Sequence, residues 1–514
     1  MLTFFNKIFH HWHKTSSFIL GSLSVQALPP FYHWYILFFT ISGLLHLIHQ
    51  APTKKQAFAR GYWFGFGFFS FGLTWISNAL LISPEKTGWL IPITFIASGA
   101  FFGIFIGLPA LLSKIPSSIH SQYLSFSAWI TIFEWIRSWI LTGFPWNLWG
   151  TSLSFSLELI QFASVLGTYG LSFLLLLTVS APFLWIENKT KLSALQSGLI
   201  IIAIPTFLYF YGHIRILKID DTNNSPVKIR LVQPGISQKT KWHPNLKEEH
   251  FNKYINKTIS HPLDDISMVV WGETASPYPL DLDEKSLQKA LNSIPQNGYL
   301  VTGLIRYQTD YYGGWFPFNS SLVINKNGTI EDYYDKSHLV PFGEYIPLKQ
   351  WLPNILQPVA NIIGTLTPGD GHKIITLPKI PTFGIQICYE IIFPHQVINP
   401  KQKPEWLINL TNDGWYGISA GPYQHLVNTQ MRSVEEGLTI IRSANNGISA
   451  LINRYGKIIS QLDLQEVAIL DVNLPQKTSI KTTYNSYGNI PILLICFAII
   501  IITLCKKLKA HKTM

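Results

Sequence analysis

The sequence predicts a two-part protein: a bundle of eight membrane-spanning helices joined to a layered α/β domain. Three observations predict it. Charged residues make up only 13% of the 514 residues, about half the usual share, while aromatics reach 14% and mean hydropathy is positive at +0.21. Apolar stretches of near-spanning length fill residues 1–213 and recur once, at 488–505. Between them, 214–487 alternates strand-like with helix-like runs. A chain of this length has room for two or more domains, each with its own core.

The first seven spans are expected near 15–29, 32–50, 61–82, 89–113, 122–142, 166–186 and 195–213. Each approaches the roughly 20 residues that cross a bilayer core. The first is short and ends at Pro29-Pro30, so it also resembles a cleavable signal peptide with Lys7 and Lys14 as its basic flank. Retention is the expectation, because an uncut span makes the topology consistent. The eighth span, "GNIPILLICFAIIIITLC", leads into a basic tail at 506–514.

Charge orients the bundle. With the N-terminus inside, Lys7, Lys14, Lys54, Lys55, Arg60, Lys114, Lys189, Lys191, Lys506, Lys507, Lys509 and Lys512 all fall on the cytoplasmic side. The short outer loops hold only Lys86. By the positive-inside rule both termini are cytoplasmic and 214–487 is extracytoplasmic. The net charge of +11 is therefore read as topological, and no nucleic-acid partner is expected. Three widely spaced cysteines form neither a disulfide framework nor a zinc pattern.

Within 214–487, strands are expected at "VKIRLVQPG" (227–235), "DISMVVWGE" (265–273), "YLVTGLI" (299–305), "SSLVINKNGTIEDYYDK" (320–336, turning at Asn327-Gly328), "TFGIQIC" and "EWLINLTND". A polar helix should follow Trp242, and "QHLVNTQMRSVEEGLTIIRSA" reads as an amphipathic helix. This alternation predicts a layered α/β domain.

Three reactive residues end strands. Cys388 follows the apolar run of "FGIQICYEIIFP", Glu273 closes "MVVWGE", and Lys336 closes "EDYYDK". Glu344 follows after Pro341-Phe342-Gly343. Alone, each has a bland reading: a core thiol, solvent-facing carboxylates, a surface lysine. Together they suit acyl transfer through a thioester. A carboxylate takes the thiol proton, the thiolate attacks, and an ammonium stabilises the oxyanion.

The order Glu, Lys, Cys at strand ends resembles the carbon–nitrogen hydrolase (nitrilase) superfamily, over about 227–475. "YDKSHLVPFGEYIP", "CYE", "NLTNDGWYG", "IRSANNGISALI" and, in the membrane half, "GFPWNLWG" resemble the apolipoprotein N-acyltransferase family more narrowly, over nearly the whole chain. The resemblance implies an αββα sandwich on the periplasmic side of a bacterial inner membrane. It implies Glu273 as general base, Lys336 as oxyanion stabiliser and Cys388 as nucleophile. Glu344, Tyr389 and Glu390 match supporting active-site positions, with the Tyr389 backbone N–H as a second oxyanion donor. Trp242 in "KTKWHP" matches a family tryptophan near the site and is equally readable as a packed aromatic. Trp415 is assigned to structure or lipid contact. Gly272 stands where the family usually has proline, which implies a looser turn beside the base.

The resemblance further implies a phospholipid acyl donor, phosphatidylethanolamine, and diacylglyceryl-modified apolipoproteins as acceptors, with a monomer sufficient and no metal or organic cofactor. The apolar, proline-bearing segment 338–364 is expected to lie on the membrane as a lid or lipid gate, or else to pack on the domain's own core. Glu134 and Arg137 share a face of the fifth span and read as a buried structural pair or a lipid-headgroup contact. Two rival classes remain. In a membrane-tethered amidase or nitrilase, water would replace the acceptor. A transporter would line its spans with several ionisable residues, and mainly Glu134 and Arg137 are found.

Overall fold

The structure, a computed structural model, describes residues 12–116, 118–217, 224–309, 313–347, 365–399 and 401–512. It divides into two compact units, Met1–Lys218 with Ser419–Val427 and Thr482–Met514, and Ile219–Ile418 with Asn428–Lys481.

The first unit is helical, and a helix coincides with each of the eight predicted apolar stretches. By length and composition, Pro84–Ser113, Ala163–Asn188, Lys191–Ile216 and Ile490–Leu508 are long and apolar enough to cross a membrane. Lys54–Gly72 with Thr74–Leu81 makes a fifth if this pair, bent by 41°, is one span. Ile36–His49 is apolar but shorter. Helix His13–Ser24 gives way to a 3-10 turn before Pro29-Pro30.

Glycine lets these helices approach closely. A Cβ on Gly21 would lie 1.9 Å from the Phe64 carbonyl oxygen, and one on Gly67 would lie 2.3 Å from that of Phe18. On the other side of helix Lys54–Gly72, Gly61 and Gly65 face Ala110 and Gly103 at 2.3 and 2.8 Å by the same construction. Small residues at helix contacts are how apolar helices gain dispersion energy where lipid removes the hydrophobic drive.

Glu134 and Arg137 are both buried. Glu134 Oε1 accepts from the Trp149 backbone N–H at 2.8 Å, and Arg137 donates to the Phe144 and Trp146 carbonyls at 2.6 and 2.7 Å. The two charges hold the backbone of "GFPWNLWG", which favours the structural reading over a headgroup contact.

The second unit contains two six-stranded sheets. Its strands are β1 (Asn224–Gln233), β2 (Met268–Trp271), β3 (Tyr299–Thr309), β4 (Trp315–Asn325), β5 (Ile330–Asp335), β6 (Ile374–Leu377), β7 (Ile380–Ile387), β8 (Trp406–Thr411), β9 (Thr439–Ala444), β10 (Ser449–Ile452), β11 (Ile458–Leu462) and β12 (Ala468–Pro475). The orders are β12-β1-β2-β3-β4-β5 and β11-β10-β9-β8-β7-β6. In each, three central strands are parallel, β1-β2-β3 and β7-β8-β9.

Period-two alternation sorts the faces. Met268 and Val270 enter the core between the sheets, against Ile385, Ile408 and Leu410. Val269 and Trp271 point outward and pack with Phe251, Tyr254 and Ile255 of helix Lys247–Thr258. On the other sheet, Arg442 of β9 donates to Thr429 of helix Ala420–Glu436. The layers are thus helix, sheet, sheet, helix, the αββα sandwich that the resemblance implies.

One expectation needs correction: the run 424–444 is not one helix. It is helical to Glu436, turns at Gly437 (φ +65°) and continues as β9. The β-branched Thr439, Ile440 and Ile441 pair with β8, and that pairing outweighs the helical period. Strands β6, β10, β11 and β12 were not anticipated, being short or lacking a clear apolar alternation.

Candidate active site

At their carboxyl ends the two sheets come close enough to hydrogen-bond. The Glu273 N–H reaches the Thr411 carbonyl at 3.4 Å, Gly235 N–H that of Asn445 at 3.0 Å, and Ser443 Oγ that of Val270 at 3.1 Å. This closure brings Glu273, two residues after β2, toward Cys388, immediately after β7. Lys336 enters from the end of β5. Parallel strands collect reactive groups at this end because their loops converge there.

Gly272 is what permits the approach. A Cβ there would sit 2.9 Å from the Asn445 nitrogen and 3.1 Å from the Thr411 oxygen. The turn beside the base is therefore packed tightly, not loosened as its departure from the family pattern implied.

Glu273 and Lys336 are almost fully buried. Lys336 Nζ lies 2.9 Å from Glu344 and 3.7 Å from Glu273 Oε1. Asn319 of β4 links the two carboxylates, donating at 2.8 Å to Glu273 Oε1 and 2.8 Å to Glu344 Oε1. Glu344 Oε2 also accepts from the Val340 N–H at 2.8 Å. Glu273 Oε2 has no hydrogen-bond partner among the described residues, so one oxygen of the base is uncommitted.

Cys388 has φ +52° at the first residue of a 3-10 turn, a left-handed conformation rare outside glycine. Its side chain is buried at the edge of the apolar core between the sheets, and its Sγ lies 3.9 Å from the Tyr416 hydroxyl. Burial, and next the Glu273 carboxylate, push the thiol up to about 12 against the pull of Lys336. Burial is also the main cause that raises Glu273, opposed by Lys336. Burial works to lower Lys336, but Glu344 and Glu273 outweigh it and hold the ammonium above its ordinary value. The resting site is therefore a protonated thiol, a base stronger than an ordinary carboxylate, and a fixed cation. Thiolate forms only as its proton moves.

Glu390 plays a different part. Its Oε1 accepts from Tyr334 Oη (2.8 Å), Ser337 N (2.8 Å), Ser337 Oγ (2.9 Å) and His338 N (3.1 Å), and its Oε2 from Ile387 N (2.7 Å). One side chain thus ties the segment after Lys336 to the residue before Cys388. Tyr389 is buried, its ring edge-on to Phe393 at 5.0 Å.

The residues in this arrangement fall within known families. Residues 228–483 match the carbon-nitrogen hydrolase family, and 20–181 match the apolipoprotein N-acyltransferase N-terminal domain. An apolipoprotein N-acyltransferase from Rhodopseudomonas palustris is 32% identical over 508 residues, covering 95% of this chain and 94% of that one. Those from Rickettsia prowazekii and Rickettsia typhi are 35% and 36% identical, covering 95% and 94% of this chain and 97% and 96% of theirs. The chain belongs to the apolipoprotein N-acyltransferase family. Among solved structures, a mutant of the nitrilase-superfamily amidase from Nesterenkonia AN1 aligns over 49% of this chain and 92% of its own, at 14% identity and TM-score 0.38. Nit3 from Saccharomyces cerevisiae aligns over 49% and 91%, at 19% and 0.36.

Of the residues matched to this acyltransferase family, the geometry joins Glu273, Lys336, Cys388, Glu344 and Glu390 in one network, with Tyr389 beside it. Trp415 does not join it and is 40% exposed. Trp242 is 42% exposed and borders the site: its ring lies 5.8 Å from the Lys241 ammonium, which in turn reaches the Glu273 carbonyl at 3.1 Å. Residues 348–364, most of the expected gate, lie outside the described residues. Sequence reasoning missed Asn319, Tyr416 and Lys241. Asn319 sits in a polar break, "FNSS", of an otherwise apolar strand, a signal that was available. Lys241 precedes the tryptophan that drew attention. The described residues hold no cluster of three or more His, Cys, Asp or Glu arranged for a metal ion.

Proposed function

We propose that this chain transfers a fatty acyl group from a membrane phospholipid, through a thioester on Cys388, to the free α-amino group of an S-diacylglyceryl-cysteine at a lipoprotein N-terminus. The Oε2 of Glu273, without a hydrogen-bond partner among the described residues and buried beside the strained Cys388 turn, in a chain related over 95% of its length to an apolipoprotein N-acyltransferase, carries the reading.

The reaction is ping-pong. Glu273 takes the Cys388 proton, and the thiolate attacks the ester carbonyl of the donor, the sn-1 acyl of phosphatidylethanolamine. Lys336 Nζ and the Tyr389 N–H hold the oxyanion. The carbon–oxygen bond breaks, the lysophospholipid oxygen leaves with the proton from Glu273, and the acyl group stays on sulfur. The acceptor amine then attacks the thioester, giving up a proton to Glu273. The carbon–sulfur bond breaks and the thiol is restored. Amide formation from a thioester is downhill, so no nucleotide is consumed.

Both substrates are lipids. Extracting either into water costs about 0.8 kcal/mol per exposed methylene, so a membrane-tethered thiol has a large advantage over a soluble one. The proposed topology is eight spans in a bacterial inner membrane, termini in the cytoplasm and residues 214–487 on the periplasmic side, with the chain acting as a monomer. The distribution of lysines and arginines supports this orientation.

The test is thioester trapping. Purified protein is incubated with labelled-acyl phospholipid and no acceptor, with Cys388→Ala as control. Label should appear on Cys388, be released by neutral hydroxylamine, and move to an added diacylglyceryl-cysteine peptide as a hydroxylamine-stable amide. Label that drains only to free fatty acid identifies a hydrolase. No label on Cys388 refutes the mechanism.

A further inference from the structure

A second lysine is built into this site. Lys241 is buried, and its Nζ donates to the Glu273 carbonyl at 3.1 Å and to Thr274 Oγ1 at 2.7 Å. Thr274 is itself strained, with φ +45°. A β-branched residue in the left-handed region persists only when its surroundings hold it there. Here the holding group is the Lys241 ammonium, which grips the backbone just before Thr274 and the side chain of Thr274 itself. The direction in which Glu273 leaves β2 depends on that turn.

We infer that Lys241 is a positioning residue for the general base, pinning the Glu273–Thr274 turn. The inference rests on the assignment of Glu273 as base. Lys336 cannot do this alone, because its Nζ sits closer to Glu344 than to Glu273. Two carboxylates, Glu273 and Glu344, share this site, and Lys241 is the second cation that balances them. The groups acting on Glu273 are Lys336, Glu344, Asn319 and Lys241. Cys388 and Tyr416 also sense it. Those facing Lys241 are Glu273 and Cys388, with the Trp242 ring 5.8 Å from its Nζ and His250 Nδ1 3.3 Å from its carbonyl. Burial, opposed by Glu273 and Cys388, brings the Lys241 ammonium down to about 8, so it is charged at neutral pH and loses its charge just above.

The decisive measurement is the pH profile of Cys388 acylation by labelled phospholipid without acceptor, which isolates the first half-reaction. Full-length wild type, Lys241→Met and Thr274→Val are compared, with the pH dependence of Cys388 alkylation by iodoacetamide as a readout independent of turnover. Lys241→Met should lower acylation near neutral pH by about 100-fold, the usual scale for a misplaced catalytic group. It should also move the acid limb to higher pH, because Glu273 then ionises without its second cation, and abolish any descent near pH 8. Thr274→Val keeps the charge and loses one anchor, so its loss should be smaller and leave the acid limb in place. A Lys241→Met protein with the wild-type profile overturns the inference. So does a rate loss uniform across pH with unmoved limbs, the mark of general structural damage. If Lys241→Met is too unstable to purify, a Thr274→Val protein with full wild-type rate overturns it. Failure of the underlying reading looks different: wild type itself would form no label on Cys388.

Discussion

Replacing Glu390 by glutamine tests whether the site is assembled by one buried carboxylate. Every acceptor position of Glu390 described above faces a donor: four hydrogen bonds reach Oε1, and the Ile387 N–H reaches Oε2. An amide of the same shape must turn its NH2 toward one set or the other. The cheaper choice keeps the oxygen on the Tyr334, Ser337 and His338 donors and sets the NH2 against the Ile387 N–H. That forfeits one hydrogen bond to a charged acceptor, leaves a buried backbone N–H unpaired, and weakens the remaining four by removing the charge. The cost is about 2–3 kcal/mol. Ile387 directly precedes the strained Cys388, and Ser337 directly follows Lys336, so the loss falls on the placement of both reacting groups. If about 2 kcal/mol of it is expressed in the transition state, acylation slows by ~30-fold. The assay is the single-turnover rate of Cys388 labelling from labelled-acyl phospholipid, alongside heat inactivation. Glu390→Asp should fail as well, because the shorter side chain cannot span both sets of donors. A Glu390→Gln enzyme with wild-type rate and heat resistance, or a fully active Glu390→Asp, would refute the reasoning.

Other consequences follow from the same geometry. Glu273 ionises at a higher pH in the folded protein than in the unfolded chain, so folding favours its protonated form. Stability from this group is present below the ordinary carboxylate range and lost as pH rises through the raised value. Glu273→Gln should therefore be inactive yet more heat-resistant than wild type at neutral pH, with the difference shrinking in acid; equal stability across pH would contradict the assignment. In wild type, Cys388 acylation should fall as pH drops through that same raised value, measured in the acceptor-free reaction. Asn319→Ala removes a donor from both Glu273 and Glu344 and should slow acylation by ~10- to 100-fold, the worth of a hydrogen bond to a charged group. Gly21→Leu should disrupt the helical unit, because its Cβ would collide with the Phe64 carbonyl; a loss of monodisperse protein on size-exclusion chromatography in detergent would show it.

A helix coincides with each predicted apolar stretch, and strands lie where the alternating runs placed them, because both are short-range periodic patterns. Glu273, Lys336 and Cys388 stood out because each ends a strand, where side chains leave the core for the loops. The run 424–444 shows the limit: its apolar spacing suits a helix throughout, and only pairing with β8 makes its last six residues a strand. Glu390 was legible as a family position, but its task was not. Its partners Tyr334, Ser337 and His338 lie more than fifty residues away, and nothing in a linear pattern says which donors will meet it.

By itself, then, the sequence determined the apolar–polar division of the chain, the strand-ending reactive residues and the charge asymmetry, because these depend on composition and short-range period. Tertiary structure decided the rest: the left-handed turns at Thr274 and Cys388, the second lysine on the base, and Asn319 between two carboxylates. These arise where two sheets close on each other. Hydrogen bonds between distant residues, made cheap by burial of both partners together, set that geometry, and no spacing along the chain encodes it.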